Sequence, residues 1–326
     1  MESMKVFEDG LEDAVKKLKA KEARRIFVQY PEGIKLRLQE IIRRLEKGGF
    51  EVLTCLQECF GACDIRDNEA ARFGCDTILH IGHEDYGVKS SLPVVFWEYF
   101  IDTDPLPILE KEKEFEKVKP YKKIGLVTSI QFVHSIPKVK EFLEGKGKQV
   151  LAHKALQHEG QVLGCHLAAA KVVEKDIDCF LCISAGKFYA LGVLFITSKP
   201  VFCLDLERGE IVDLAPMKRK FQKIIAWNKS QLEDAKEVGI LVSWKKGQMM
   251  TYGSMDKILA LKKKLESEGK NVYVFVMDEV SPEKLEGLKL DAAIVCACPR
   301  IGLDDLERYP IPILNLEDAE AGMDSV

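Results

Sequence analysis

The stretch RRIFVQYPEGIKLRLQEIIRRLEKGGFEVL, residues 24–53, reads as an apolar run, a polar loop, an amphipathic segment and a second apolar run. Leu38, Ile41, Ile42 and Leu45 fall at i, i+3, i+4 and i+7, the spacing that lays one apolar stripe along a helix. The segment closes on EKGG, and glycine is the residue that turns most easily into the left-handed conformation at a helix C-terminus. Two further stretches repeat this layout: KKIGLVTSIQFVHSIPKVKEFLEGKGKQVL from Lys122, and VGILVSWKKGQMMTYGSMDKILALKKKLESEGKNVYVFV from Val238. Val139, Phe142 and Leu143 rebuild the stripe in the second, Ile258, Leu261 and Leu265 in the third, and EGKG and ESEG rebuild the stop. The flanking runs are rich in Val and Ile and do not alternate with polar residues, as parallel strands covered on both faces require. A strand-helix-strand unit is right-handed by default. The predicted fold is therefore α/β, with three small related domains built on parallel sheets at 1–105, 106–215 and 216–326. The helical stretch PMKRKFQKIIAWNKSQLEDAKE leads into the third.

A chain of 326 residues has room for these three cores. Hydrophobic residues at 47% and charged ones at 31% describe a soluble globular protein. A net charge of -4 argues against direct nucleic-acid binding or attachment to a membrane surface. The N-terminus lacks the basic and apolar regions of a leader, and no apolar run approaches the roughly 18 residues of a membrane span, so the expectation is a cytoplasmic chain.

In open parallel sheets, ligands bind beyond the carboxyl ends of the strands. The loops expected there read YPEG, ECFGACD, HIGHEDYG, SIQFVHS, HEGQVLGC, SAGKFYALG, SWKKGQ and CPRIGLDD. Neither GxGxxG nor GxxxxGK[ST] occurs, which removes the dinucleotide fingerprint and the P-loop.

Ten cysteines in a reduced compartment point to metal binding or catalysis for some and to packing for the rest. Cys75, Cys179, Cys182 and Cys203 lie in apolar runs and read as core. Cys55, Cys59, Cys63, Cys165, Cys296 and Cys298 lie at loops or strand ends, spread over all three expected domains. One reading is a shared centre to which each domain donates a thiolate, and sulfur ligands select zinc, copper(I) or iron-sulfur clusters. The only CxxC, Cys179 to Cys182, sits in a strand-like run, which argues against a structural zinc site. Cys59 and Cys63 supply the first spacing of a CxxxCxxC cluster motif, but Arg66 occupies the third position. Three cysteines from distant positions on a four-iron cluster would leave one iron open to a substrate.

The motifs FGACD (60–64), GQVLGC (160–165), VSWKKGQ (242–248) and ACPRIGLDD (297–305) together resemble the archaeal-type diphthamide-synthesis 3-amino-3-carboxypropyl transferases. The resemblance covers nearly the whole chain. It implies that Cys63, Cys165 and Cys298 ligate a 4Fe-4S cluster, and that the open iron engages S-adenosylmethionine. The carbon-centred 3-amino-3-carboxypropyl radical then adds to a histidine of translation elongation factor 2, the first step of diphthamide formation. It also implies a homodimer and an electron donor.

Spacing alone leaves Cys296 and Cys298 equivalent, since residues two apart on a strand face the same side. The resemblance selects Cys298, with Pro299 expected to end the strand there. Cys296 then reads as core and Cys59 as a bystander. Arg300 is a candidate for the methionine carboxylate, against a salt bridge to Asp304 or Asp305. Gln161 and Gln248 are candidate contacts to the amino-acid or ribose part, against loop-stabilising amides. His80 and His83 are ligand types, but their spacing is short for a helical pair and no carboxylate motif accompanies them. They read, like His134 and His166, as pocket-lining or loop residues and are assigned to no metal. Two other functions fit the same cysteine distribution: a quinolinate-synthase-like 4Fe-4S dehydratase and a non-catalytic cluster-holding electron-transfer subunit.

Overall fold

A computed structural model of the chain describes residues 2–252 and 254–323. The apolar runs of the first repeat are the parallel strands β1 (Arg25–Gln29) and β2 (Glu51–Thr54). β3 (Thr77–Ile81) and β4 (Val94–Trp97) add on the other side of β1, in the order β2-β1-β3-β4. The second sheet joins β5 (Lys123–Thr128), β6 (Gln149–Leu151), β7 (Cys179–Ser184), β8 (Val201–Asp205) and β9 (Glu210–Asp213) in the order β6-β5-β7-β8-β9. The third joins β10 (Glu237–Ser243), β11 (Asn271–Met277), β12 (Ala292–Cys296) and β13 (Ile313–Asn315) as β11-β10-β12-β13. All pairings between these strands are parallel except β8 with β9. In every sheet the chain lays its second strand on one side of the first and its third on the other. That reversal is the switch point at which α/β sheets open a crevice. The chain forms two compact units: Met1–Leu214 carries the first two sheets, and Ala215–Val326 the third.

The helix of each repeat packs by the stripe that predicted it. Leu38, Ile41 and Leu45 are buried on the ten-residue helix Leu38–Lys47, with Ile42 at its margin. Val139 and Leu143 are buried on Ile136–Gly145, and Ile258, Leu261 and Leu265 on Met255–Ser267. Helices of this length are marginal alone, whereas each fully buried Leu or Ile contributes about 2 kcal/mol, so packing decides that they form. All three stop in the same way. Gly49, Gly147 and Gly269 take positive φ of 97°, 76° and 85°. The next residue's N–H then donates to a carbonyl five residues back, from Phe50 to Leu45, Lys148 to Leu143 and Lys270 to Leu265.

A second device also recurs three times. An aspartate just before the third strand of each sheet accepts the two backbone N–H groups at the start of the first strand. Asp76 takes those of Arg24 and Arg25, Asp178 those of Lys122 and Lys123, and Asp291 those of Lys236 and Glu237.

The structure adds one element that the sequence analysis does not name and moves two residues out of the strands expected to hold them. The helix Glu2–Ala20 was not predicted, although Phe7, Leu11, Ala14 and Leu18 carry a helical period and are buried in the first core. Gly10 permits its close approach to β4, because a Cβ there would lie 2.5 Å from Trp97 Nε1. β12 ends at Cys296 and not at Pro299. Cys298 already starts a turn, its carbonyl accepting the Ile301 N–H at 3.0 Å. Cys75 likewise precedes β3, but it is buried against Phe27, Ala70 and Ile78 as a core thiol.

Candidate cluster and substrate site

The loop after β2 carries Cys63, and Gln29, the last residue of β1, fixes its shape. The Gln29 side-chain Nε2 donates to the Asp64 carbonyl at 3.0 Å, and its Oε1 accepts the Arg66 N–H at 3.0 Å. Within the loop the Asp64 N–H donates to the Gly61 carbonyl at 3.0 Å, a turn with Cys63 inside it. A Cβ at Gly61 would stand 3.5 Å from Cys63 Sγ, so the two residues lie in van der Waals contact distance. Cys63 is thus a half-buried thiol on a pinned backbone.

Cys165 lies in the loop after β6. Gln161 bridges in parallel to Thr128, the last residue of β5, whose N–H and carbonyl bond Gly160 and Val162 at 2.8 Å. The Leu163 N–H then donates to the His166 carbonyl at 2.9 Å, which turns the chain so that Cys165 is exposed. Both loops approach Tyr86. Burial, then the neighbouring Cys165 and Cys63 thiols, raise its hydroxyl above the ordinary value, and its ring stands edge-on to His166 at 5.9 Å. Two of the three predicted cysteines are therefore near enough to influence one tyrosine that the sequence did not single out.

Gln161 is fully buried, its Oε1 accepting the His158 N–H at 3.0 Å. Beside it lies Glu84, also buried, whose carboxyl is raised by burial against the opposing effect of the Gln161 amide and the Gln157 backbone. The Gln161 Nε2 and both Glu84 oxygens stop short of hydrogen-bond geometry with any described residue. His134 packs against Phe100 with the rings tilted by 38° and their centres 4.4 Å apart.

In the second unit, Cys298 is half-buried just beyond the carboxyl end of β12. Arg300 is buried and grips Asp304 with both Nε and Nη2, at 2.6 and 2.7 Å. The salt bridge weighed as the alternative for Arg300 is therefore formed. Burial raises the Asp304 carboxyl despite this partner. Gln248 is buried in the first turn of the helix Lys246–Tyr252, its N–H donating to the Lys245 carbonyl at 3.0 Å.

Cys59, His80 and His83 come together, which their sequence spacing does not suggest. His80 Nε2 lies 3.0 Å from His83 Nδ1 and 3.8 Å from Cys59 Sγ. Burial, and then His83, hold His80 well below the usual imidazole value, and burial lowers His83 to about 4, so both rings are neutral.

The thiols divide into two kinds. Burial pushes Cys179 up to about 12, Cys203 to about 11 and Cys296 to about 12, the behaviour of inert core sulfur. Cys63, Cys165 and Cys298 instead stand half-buried or exposed on loops, one following a carboxyl-end strand of each sheet. Each of the three is, by residue type and exposure, a soft donor of the kind that iron-sulfur clusters take.

The chain is similar to known proteins over almost all its length. It is 32% identical to the 2-(3-amino-3-carboxypropyl)histidine synthase of Pyrococcus horikoshii, covering 94% of this chain and 88% of that one. The enzyme of the same name from Methanocaldococcus jannaschii is 29% identical, over 90% and 83%. The crystal structure of Dph2 from Pyrococcus horikoshii with a 4Fe-4S cluster superposes with a TM-score of 0.86 at 30% identity, covering 97% of this chain and 90% of that one. Residues 30–325 match the family described as "Putative diphthamide synthesis protein", and the chain belongs to that diphthamide-synthesis family.

Proposed function

We infer that the chain is a 2-(3-amino-3-carboxypropyl)histidine synthase. It is a transferase that uses a 4Fe-4S cluster and takes the 3-amino-3-carboxypropyl group from S-adenosylmethionine. The acceptor is a histidine of translation elongation factor 2, and the working unit is a cytoplasmic homodimer served by an electron donor. Among the described residues no helix is long and apolar enough to cross a membrane. The observation that carries the reading is the approach of the Cys63 and Cys165 loops to Tyr86 in a chain similar throughout to synthases of this name.

Cys63, Cys165 and Cys298 are the cluster ligands. A cluster held by these residues would supply an electron for breaking the sulfonium's bond to the aminocarboxypropyl carbon. Gln29 holds the Cys63 loop in one shape, so that the ligand is presented without reorganisation. The buried Glu84 takes the methionine ammonium, which supplies counter-charge and donors to its two oxygens, and Gln161, whose Nε2 is a donor, contacts the amino-acid or ribose part. Arg300 takes the carboxylate, exchanging it for the Asp304 carboxylate that it grips in this structure. Gln248 contacts the amino-acid or ribose part.

The test is anaerobic incubation of the reduced, cluster-loaded chain with S-adenosylmethionine and elongation factor 2. The expected result is one aminocarboxypropyl group on a histidine with release of methylthioadenosine. Quinolinate formed from its precursors without methylthioadenosine would overturn the assignment in favour of the dehydratase. Cluster reduction with no transfer would favour the electron-transfer subunit.

A further inference from the structure

We propose that Cys59, His80 and His83 form a mononuclear site for a borderline-soft divalent cation of the zinc class, separate from the thiolates of Cys63, Cys165 and Cys298. The three donor atoms, one from each side chain, lie within 4.8 Å of one another. A tetrahedral zinc site with the usual bond lengths sets two nitrogens about 3.3 Å apart and a sulfur and nitrogen about 3.5 Å apart. The observed separations are 3.0 Å between the ring nitrogens and 3.8 Å between Cys59 Sγ and His80 Nε2. Those two separations need shifts of only a few tenths of an ångström, and the third, between Cys59 Sγ and the His83 nitrogen, lies within 4.8 Å and closes as the thiolate moves toward the ion.

The fold holds these donors in place from two directions. His80 is in β3, paired to Gln29 of β1, and is fully buried with its ring against Phe96 at 5.3 Å. His83 follows after the turn at Gly82, whose φ of 90° lets the chain bring the second ring back over the first. Gly82 N–H donates to the Trp97 carbonyl at 2.8 Å, and its own carbonyl accepts Gln131 Nε2 at 3.0 Å, which fixes that turn. Cys59 is 4% exposed and comes from the loop after β2, opposite the two rings. One thiolate and two imidazoles suit zinc, and a three-donor set leaves its fourth position open. His83, half-buried, is the side from which an ion enters. A hydrogen-bonded Cys-His-His chain is the competing account of the same contacts, and it would not retain a metal.

The experiment uses the full chain with its cluster in place. It is given one equivalent of Zn²⁺ without oxygen, desalted, and its zinc and iron are measured by mass spectrometry. Wild type is expected to retain about one zinc per chain, with X-ray absorption showing one sulfur at about 2.3 Å and two nitrogens at about 2.0 Å. Cys59→Ser and His83→Asn are each expected to lower zinc retention about tenfold or more, with iron content and far-UV circular dichroism unchanged. His83→Asn carries the test if the buried Cys59 variant misfolds. Zinc absent from wild type, retained equally by His83→Asn, or lost on Cys63→Ala while both variants keep it, would overturn the site. Because zinc is read independently of transfer, its failure leaves the synthase reading untouched.

Discussion

Cys59 and Cys63 lie four residues apart after β2 in the first sheet, and Cys296 and Cys298 two apart at the end of β12 in the third. In each pair one sulfur is buried and the other half-buried, at 4% exposure for Cys59 and 1% for Cys296. Their surroundings differ. Cys296 packs among Val242, Ile294, Leu314 and Ala319, and burial pushes its thiol up to about 12. Cys59, nearly as enclosed, faces a histidine nitrogen at 3.8 Å. Burial by itself therefore does not classify a thiol; the atoms that face it do.

The largest effect should separate the members within each pair. Cys63→Ala and Cys298→Ala, like Cys165→Ala, are expected to lose the brown cluster absorbance and to lower transfer activity by more than about a hundredfold. Cys59→Ala and Cys296→Ala are expected to keep the absorbance. An unchanged spectrum in any of the first three removes that residue from the ligand set.

The next effect tests what pins the first pair's loop. Gln29→Leu leaves the Asp64 carbonyl and the Arg66 N–H without the side chain that bonds them. The expected cost is about 2 kcal/mol in denaturant unfolding, with faster cluster loss on dilution. Wild-type stability would show that the loop holds its shape without the clamp.

Smaller again is the response of the buried partner in the second pair. Cys296→Ala should cost about 1 kcal/mol, the loss of one packed sulfur. In the folded wild type its raised pKa keeps it neutral at pH 8, so iodoacetamide should label Cys296 only after unfolding. Rapid labelling of the folded chain would mean that this thiol is not the core residue described.

The smallest effect should be the same for both sheets. The Glu237 and Lys236 N–H groups hold Asp291 below the usual carboxylate value. Burial raises Asp76, but the N–H groups of Arg25 and Arg24 outweigh it and hold it low as well. A depressed folded pKa contributes stability above the unfolded aspartate value, about 3.9, and loses it as pH falls through the folded value. Asp76→Asn and Asp291→Asn should each lower stability modestly at pH 7, where the carboxylate's contribution is fully present, and flatten its loss below about pH 4, where wild type and variant converge. A large effect in one sheet only would place the difference between the pairs in the scaffold and not in the loops.

Much of the scaffold was legible because it depends on near neighbours. The stripes at Leu38, Val139 and Ile258 and the glycines at 49, 147 and 269 work within one helix and its stop. The helix Glu2–Ala20 carries the same local signal in Phe7, Leu11 and Leu18, outside the strand-helix-strand repeats. The site was legible as residue types at loop positions, through motif resemblance. Gln29, Tyr86 and Glu84 were not, because each acts on a segment distant in the chain: Gln29 on Asp64 and Arg66, Tyr86 on Cys63 and Cys165, Glu84 on Gln161.

The amino-acid sequence by itself determined three parallel α/β repeats and the supply of soft donors in the loops that follow their strands. Periodicity, turn chemistry and ligand type are properties of short segments. Only the tertiary structure decided which thiols meet which atoms. Pairing β1 with both β2 and β3 sets Cys59 over His80 and lets Gln29 clamp the loop of Cys63. Burial in the third sheet closes Cys296 into hydrocarbon. Such contacts join residues far apart in the chain, and the pairing of strands, not local spacing, fixes their distances.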